Sequence, residues 1–151
     1  MKFKKYNDYI SISSQSINID TNLTTDIFEL NKKWYIKCDI SHVKHQIADL
    51  DNKCAIYASK KGLFYRSCIF ENSILIKIPF RYKKFEARCE NCTFYDLNAG
   101  HYVHVSFLPI SISEFKPNEY TCCFKLIQIK LHSSLKHSHA PLECEEDAIG
   151  Q

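Results

Sequence analysis

Two cysteines three positions apart, Cys89 and Cys92, are followed by His101 and His104. Read along the chain, these four form the ligand set of a Cys₂His₂ zinc site. A strand through residues 101–110 would turn the two histidines to opposite faces, so they could not share one ion. A variant using Cys89, Cys92 and one of Cys122 or Cys123 stays open. Thiols packed on a helix and on the last strand are the simpler expectation, with no metal and no cofactor. A redox CxxC would need a βαβ setting, which the sequence lacks. Further on, His132, His137, His139 and Cys144 stand in a polar tail beside Glu143, Glu145, Glu146 and Asp147; a solvated tail is expected there. The sequence has no nucleophile elbow, P-loop, HExxH or paired-carboxylate motif, and an enzyme is not expected.

Positive charge is the more informative signal. Between Lys53 and Arg88 there are nine cations, against Glu71 and Glu86 only, a balance of +7 in a chain whose net charge is +3. Tyr57, Phe64, Tyr65, Phe80, Tyr82 and Phe85 are interleaved with them. Cations that follow a phosphate backbone and aromatic rings that stack on bases are the two parts of a single-strand binding surface. Lys60, Lys61, Arg66 and Lys77 are the candidate phosphate contacts, and Tyr57 and Tyr65 the candidate stacking platforms. The plainer alternative is a wet strand face with aromatics in the core.

These residues need strands to position them. Trp34, Ile36, Cys38 and Ile40 alternate with Tyr35, Lys37 and Asp39, which predicts a half-buried strand over residues 34–43. In that strand the first four are expected in the core, and Lys37 and Asp39 outside it. Further strands are expected over 53–59 and 63–70, joined at Lys60-Lys61-Gly62, and over 73–80, where Ile74, Ile76 and Ile78 align. Phe85, Cys89, Cys92 and Tyr95 recur at roughly helical spacing, predicting a short helix within 81–98 that Gly100 ends. A strand follows over 101–110, with Pro109 at its far end, then a polar loop and a last strand over 121–132. In that last strand Phe124 and Leu126 have the opposite parity to Ile127, Ile129 and Leu131, which predicts a β-bulge. Residues 1–30 read as an N-terminal extension with one or two edge strands, and 133–151 as a His-rich, acidic tail.

The 151 residues suffice for one domain with a hydrophobic core. No apolar run is long enough for a membrane helix. Three glycines and four prolines, with abundant Ile, Tyr and Phe, favour strands over phosphate-cradling loops. The eight cysteines and the acceptor triplets Asn22-Leu23-Thr24 and Asn91-Cys92-Thr93 suit a secreted, disulfide-stapled β-sandwich interaction domain. No apolar stretch follows the N-terminal charges, so free, reduced thiols are the first expectation.

About five strands, with a helix before the penultimate one, resemble an all-β OB-fold, a five-stranded Greek-key barrel. The segment Tyr95-Asp96-Leu97-Asn98-Ala99-Gly100-His101-Tyr102-Val103-His104-Val105 resembles the approach to the fourth strand of small replication-protein-A-like OB domains. Residues 121–129 resemble their last strand, and residues 34–43 their first. The chain departs from that pattern where Asp39 or Ser41 replaces a first-strand glycine, and again at Ser106-Phe107. The resemblance covers residues 31–132. It extends to the small OB subunits of genome-maintenance complexes, those of the telomeric CST and BLM–topoisomerase assemblies. It implies a nuclear subunit that binds single-stranded nucleic acid weakly alone and docks to a larger OB-fold protein, with no membrane partner. Phe124, Leu126 and Ile127 are the candidate docking residues.

Overall fold

The computed structural model describes residues 1–132; the His-rich, acidic tail expected over 133–151 lies outside the described residues. Eleven strands and one helix follow in the order β1 (Lys2–Lys5), β2 (Ile10–Ser13), β3 (Ile17–Asn22), β4 (Phe28–Leu30), β5 (Lys33–Asp39), α1 (Lys44–Lys60), β6 (Ser73–Ile78), β7 (Phe80–Arg81), β8 (Lys84–Phe85), β9 (Arg88–Glu90), β10 (Tyr102–Lys116) and β11 (Glu119–Leu131). The protein is mostly β, as its composition implies.

Nine strands form one mixed, open sheet, seven in the order β1-β2-β10-β11-β6-β5-β4 with β3 beside β10 and β9 beside β11, and β7 pairs only with β8. The long β10–β11 hairpin is its spine. The first half of β10 pairs with β3 and the second with β2. Pro109 lies where β10 changes partner, a place where a missing N–H removes no bond on that edge. The strand therefore continues beyond Pro109 to Lys116, through the expected polar loop. β11 changes partner too: it runs parallel to β6 at Phe124 and Lys125, then parallel to β9 from Gln128 to Lys130. Between these ladders Leu126 faces Phe107 and Gln128 faces Ser106, leaving Ile127 as the extra residue of a bulge. The parity slip in the sequence marks this place. Leu23, just past β3, bridges to Cys38 on β5, and the Thr24 N–H bonds the Lys37 carbonyl at 2.9 Å.

Ile36, Cys38 and Ile40 are fully buried as their alternation predicts, with Ile74, Ile76 and Ile78 beside them. Trp34 is only half-buried, and so are Lys37 and Asp39 on the other face. Residues 1–30 do more than edge the sheet. They form four strands, and Ile10, Ile12, Ile17, Ile19 and Leu23 join the common core.

Three expected elements are corrected. Residues 53–59 are not a strand but the second half of α1. Ile47, Leu50, Cys54 and Ala58 recur every three or four residues and are the buried stripe of that helix. Lys60-Lys61-Gly62 closes no hairpin. Gly62, with φ +74°, lets its N–H reach Ser59 O and the Leu63 N–H reach Ala58 O, each at 3.0 Å, which is a Schellman helix stop. Residues 63–70 form no strand, and their only ladder contacts are isolated bridges at Tyr65 and Phe70. Nor do residues 81–98 form the expected helix. They fold as the β7–β8 hairpin, β9 and a single 3₁₀ turn at Phe94–Asp96. Phe85 and Phe94 pack there with Trp34, Phe80 and Tyr95 as an aromatic cluster rather than as one helix face.

Three chain reversals share one geometry. The two-residue turns Asn31-Lys32, Glu71-Asn72 and Tyr82-Lys83 have positive φ at both positions, between 50° and 64°. That is the type I′ hairpin turn, built here without glycine.

Candidate nucleic-acid interface

Alternation along β5 and β6 places Ile36 and Ile76 in the core and leaves Tyr35 and Lys77 facing outward, directly opposite one another. Lys125 is the partner of Lys77 on the next strand, β11. Lys33, two residues before Tyr35, lies on this same face. Burial depresses the Lys77 pKa, and the positive charges of Lys33 and Lys125 depress it further. Burial also raises the Tyr35 pKa. Lys37 sits over the Phe70 ring at 5.7 Å, and Phe28 stacks on Tyr35 at 5.9 Å. Among the described residues none of Lys33, Lys37, Lys77 and Lys125 forms a salt bridge. The outer face of β5, β6 and β11 thus carries four lysines and Tyr35, with Phe28 of β4 and Phe70 of the preceding loop packed beside them.

Of the six expected contacts only Lys77 belongs to this face. Lys60 and Lys61 end α1, and Tyr57 on that helix is stacked on Phe3 at 4.5 Å with Lys61 over its ring. Arg66 is paired with Glu119 at 3.0 Å. That glutamate begins β11, six residues before Lys125 or about 20 Å along a strand. Tyr65 is no stacking platform. Its hydroxyl donates to Asp51 at 2.6 Å and accepts from the Cys122 N–H at 3.3 Å, and burial pushes its pKa far up. Phe124 and Leu126 are core residues and cannot dock a partner; of the expected trio only Ile127, lifted out by the bulge, is exposed. Lys33, Lys37 and Lys125 were missed because they fall outside the cation-rich stretch, and only strand pairing brings them to Lys77.

The thiols and histidines also separate. Cys89 and Cys92 approach to 3.2 Å between sulfurs, and burial raises the Cys89 pKa to about 12. All seven described cysteines are free. His101 accepts the Asn98 N–H at 3.1 Å, whereas His104 points to Asp20. The linear Cys₂His₂ set is therefore not assembled. Instead Asp20 on β3, His104 on β10 and His132 after β11 converge. Asp20 Oδ1 is 2.9 Å from His104 Nδ1 and 2.6 Å from His132 Nε2. The His132 hydrogen bond is the largest influence holding the Asp20 carboxyl below its usual pKa. No spacing in the sequence announces this trio, whose members lie 84 and 112 positions apart.

No family model, curated protein or solved structure matches this chain.

Proposed function

We propose that the protein is an OB-type binding subunit that holds single-stranded nucleic acid across the outer face of β5, β6 and β11. The observation that carries this is the set Lys33, Lys37, Lys77 and Lys125, unpaired among the described residues and set around Tyr35, Phe28 and Phe70. Burial first and the neighbouring lysines second depress Lys77, and a phosphate placed beside it moves its pKa back up. Support for the OB reading comes from strand order. The sequence β3-β5-β6-β11-β10 around the core, with β6 and β11 parallel, is the order in which the five strands of an OB barrel meet. In that order β5 and β6 are strands two and three, whose face binds oligonucleotides in OB domains. The helix departs from the pattern, lying between strands two and three. A larger OB-fold partner in a nuclear genome-maintenance complex, telomeric or otherwise, belongs to the same proposal, and Ile127 is the one docking residue retained for it.

Fluorescence anisotropy with a labelled oligothymidine tests the reading. Binding should be weak, indifferent to base sequence and steeply lowered by salt. Lys77→Glu with Lys125→Glu should abolish it, while Lys60→Glu with Lys61→Glu should leave most of it. No binding at low salt, or loss only in the helix-end variant, would overturn the assignment of this face.

A further inference from the structure

We propose that Asp20, His104 and His132 form a zinc site that ties β3 to the free ends of the β10–β11 hairpin. Asp20 and His104 are register partners across β3 and β10. His132 follows β11, and its backbone N–H bonds the Tyr102 carbonyl at 3.1 Å. Three different segments thus each present one ligand, and the three ligand atoms lie within 4.8 Å of one another.

The donor set is chemically suited to zinc. Two imidazoles and one carboxylate are borderline nitrogen and oxygen donors, and zinc takes them at ~2.0–2.2 Å in tetrahedral geometry. Ligand atoms on such a tetrahedron stand about 3.4 Å apart. The present separations of 2.9 and 2.6 Å from Asp20 need only a small rotation of exposed side chains to reach it. The Tyr102 ring lies against His132 at 4.9 Å and nearly parallel, which restricts how that imidazole can turn. About a third of each histidine side chain and half of Asp20 face solvent, so an ion reaches the site without unfolding the sheet. The fourth position is left to water. The three ligands come from three separate segments, so a bound ion would cross-link β3, the start of β10 and the residue after β11.

Calorimetric titration of the full chain with zinc, under reducing conditions, is the first measurement. Cobalt substitution is the second, because thiolate ligands add an intense charge-transfer absorption that nitrogen and oxygen ligands do not. The expected result is one ion per chain with a cobalt spectrum free of thiolate bands. Affinity should fall at least ~10-fold in both Asp20→Asn and His104→Gln. Cys89→Ser and the paired His137→Gln, His139→Gln variant should bind as the parent does. Circular dichroism of each variant separates ligand loss from misfolding, and the wild-type titration needs no variant. The site would be overturned by absence of zinc binding, by thiolate absorption in the cobalt form, or by full affinity in folded His104→Gln protein.

Discussion

Tyr65 shows how one residue can be prominent in a sequence and still be misjudged. It stands between cations, as a base-stacking ring would, yet its hydroxyl serves Asp51. That carboxylate also accepts from Ser67 Oγ at 2.5 Å and the Cys68 N–H at 3.1 Å, pinning the segment after Gly62 to α1. Tyr65→Phe should therefore cost about 1.5–3 kcal/mol in urea unfolding, the usual worth of a hydrogen bond to a charged group, and leave oligonucleotide binding unchanged. Cys38 is the opposite case, correctly placed in the core by alternation alone. Burial pushes its thiol from 9.0 up to about 12. Between those values the unfolded chain releases a proton that the folded chain keeps, so stability falls as pH rises through that window. Urea midpoints measured at pH 8 and pH 10 should drop, and Cys38→Ala should flatten part of that drop. Side-chain polarity is legible residue by residue; which polar group answers which is not, since Asp20 finds His104 across 84 positions.

At the scale of elements, alternation identified β5, β6, β10 and β11, and the slip at Ile127 marked the bulge. It failed for α1. Over residues 53–59 the small and polar residues blur the pattern, and the stripe becomes evident only from Ile47 onward. Gly62 was seen as a turn residue and was one, but of a helix stop. Of the glycine-free I′ turns, Tyr82-Lys83 gives no signal in the sequence, because glycine or asparagine is the usual one and it has neither. Lys83 at φ 64° is strained by about 1–2 kcal/mol. Glycine relieves that strain but adds ~0.5–1 kcal/mol of unfolded-state freedom. Lys83→Gly should thus raise stability by roughly 0.5–1 kcal/mol, read as a higher urea midpoint with an unchanged slope.

On the scale of the whole molecule, charge and core occupy opposite sides of the same strands. The cation-rich stretch of sequence does not stay together in the fold: of its expected contacts, Lys77 alone lies on the outer face of β5, β6 and β11. Helix formation sent Lys60 and Lys61 to the end of α1, while sheet pairing gathered lysines from two distant stretches, β5 and β11, around Lys77. Binding of an anion there should restore the Lys77 pKa toward the ordinary lysine value near 10.4. Side-chain NMR titration of that lysine, with and without oligonucleotide, should show the upward move, and Lys125→Glu should produce part of it in the free protein.

The pairing of β3 with β10 has a consequence for synthesis. Asp20 and its partner His104 are 84 residues apart, and a ribosome adds about 5–20 residues each second. For about 4–17 s the Ile17 and Ile19 side chains leave the ribosome with no sheet to enter. α1, whose backbone hydrogen bonds are local, can form well before then. Nascent chains stalled before residue 102 should accordingly be captured by hydrophobic-segment chaperones through residues 10–23, and chains stalled with β10 and β11 fully emerged should be released.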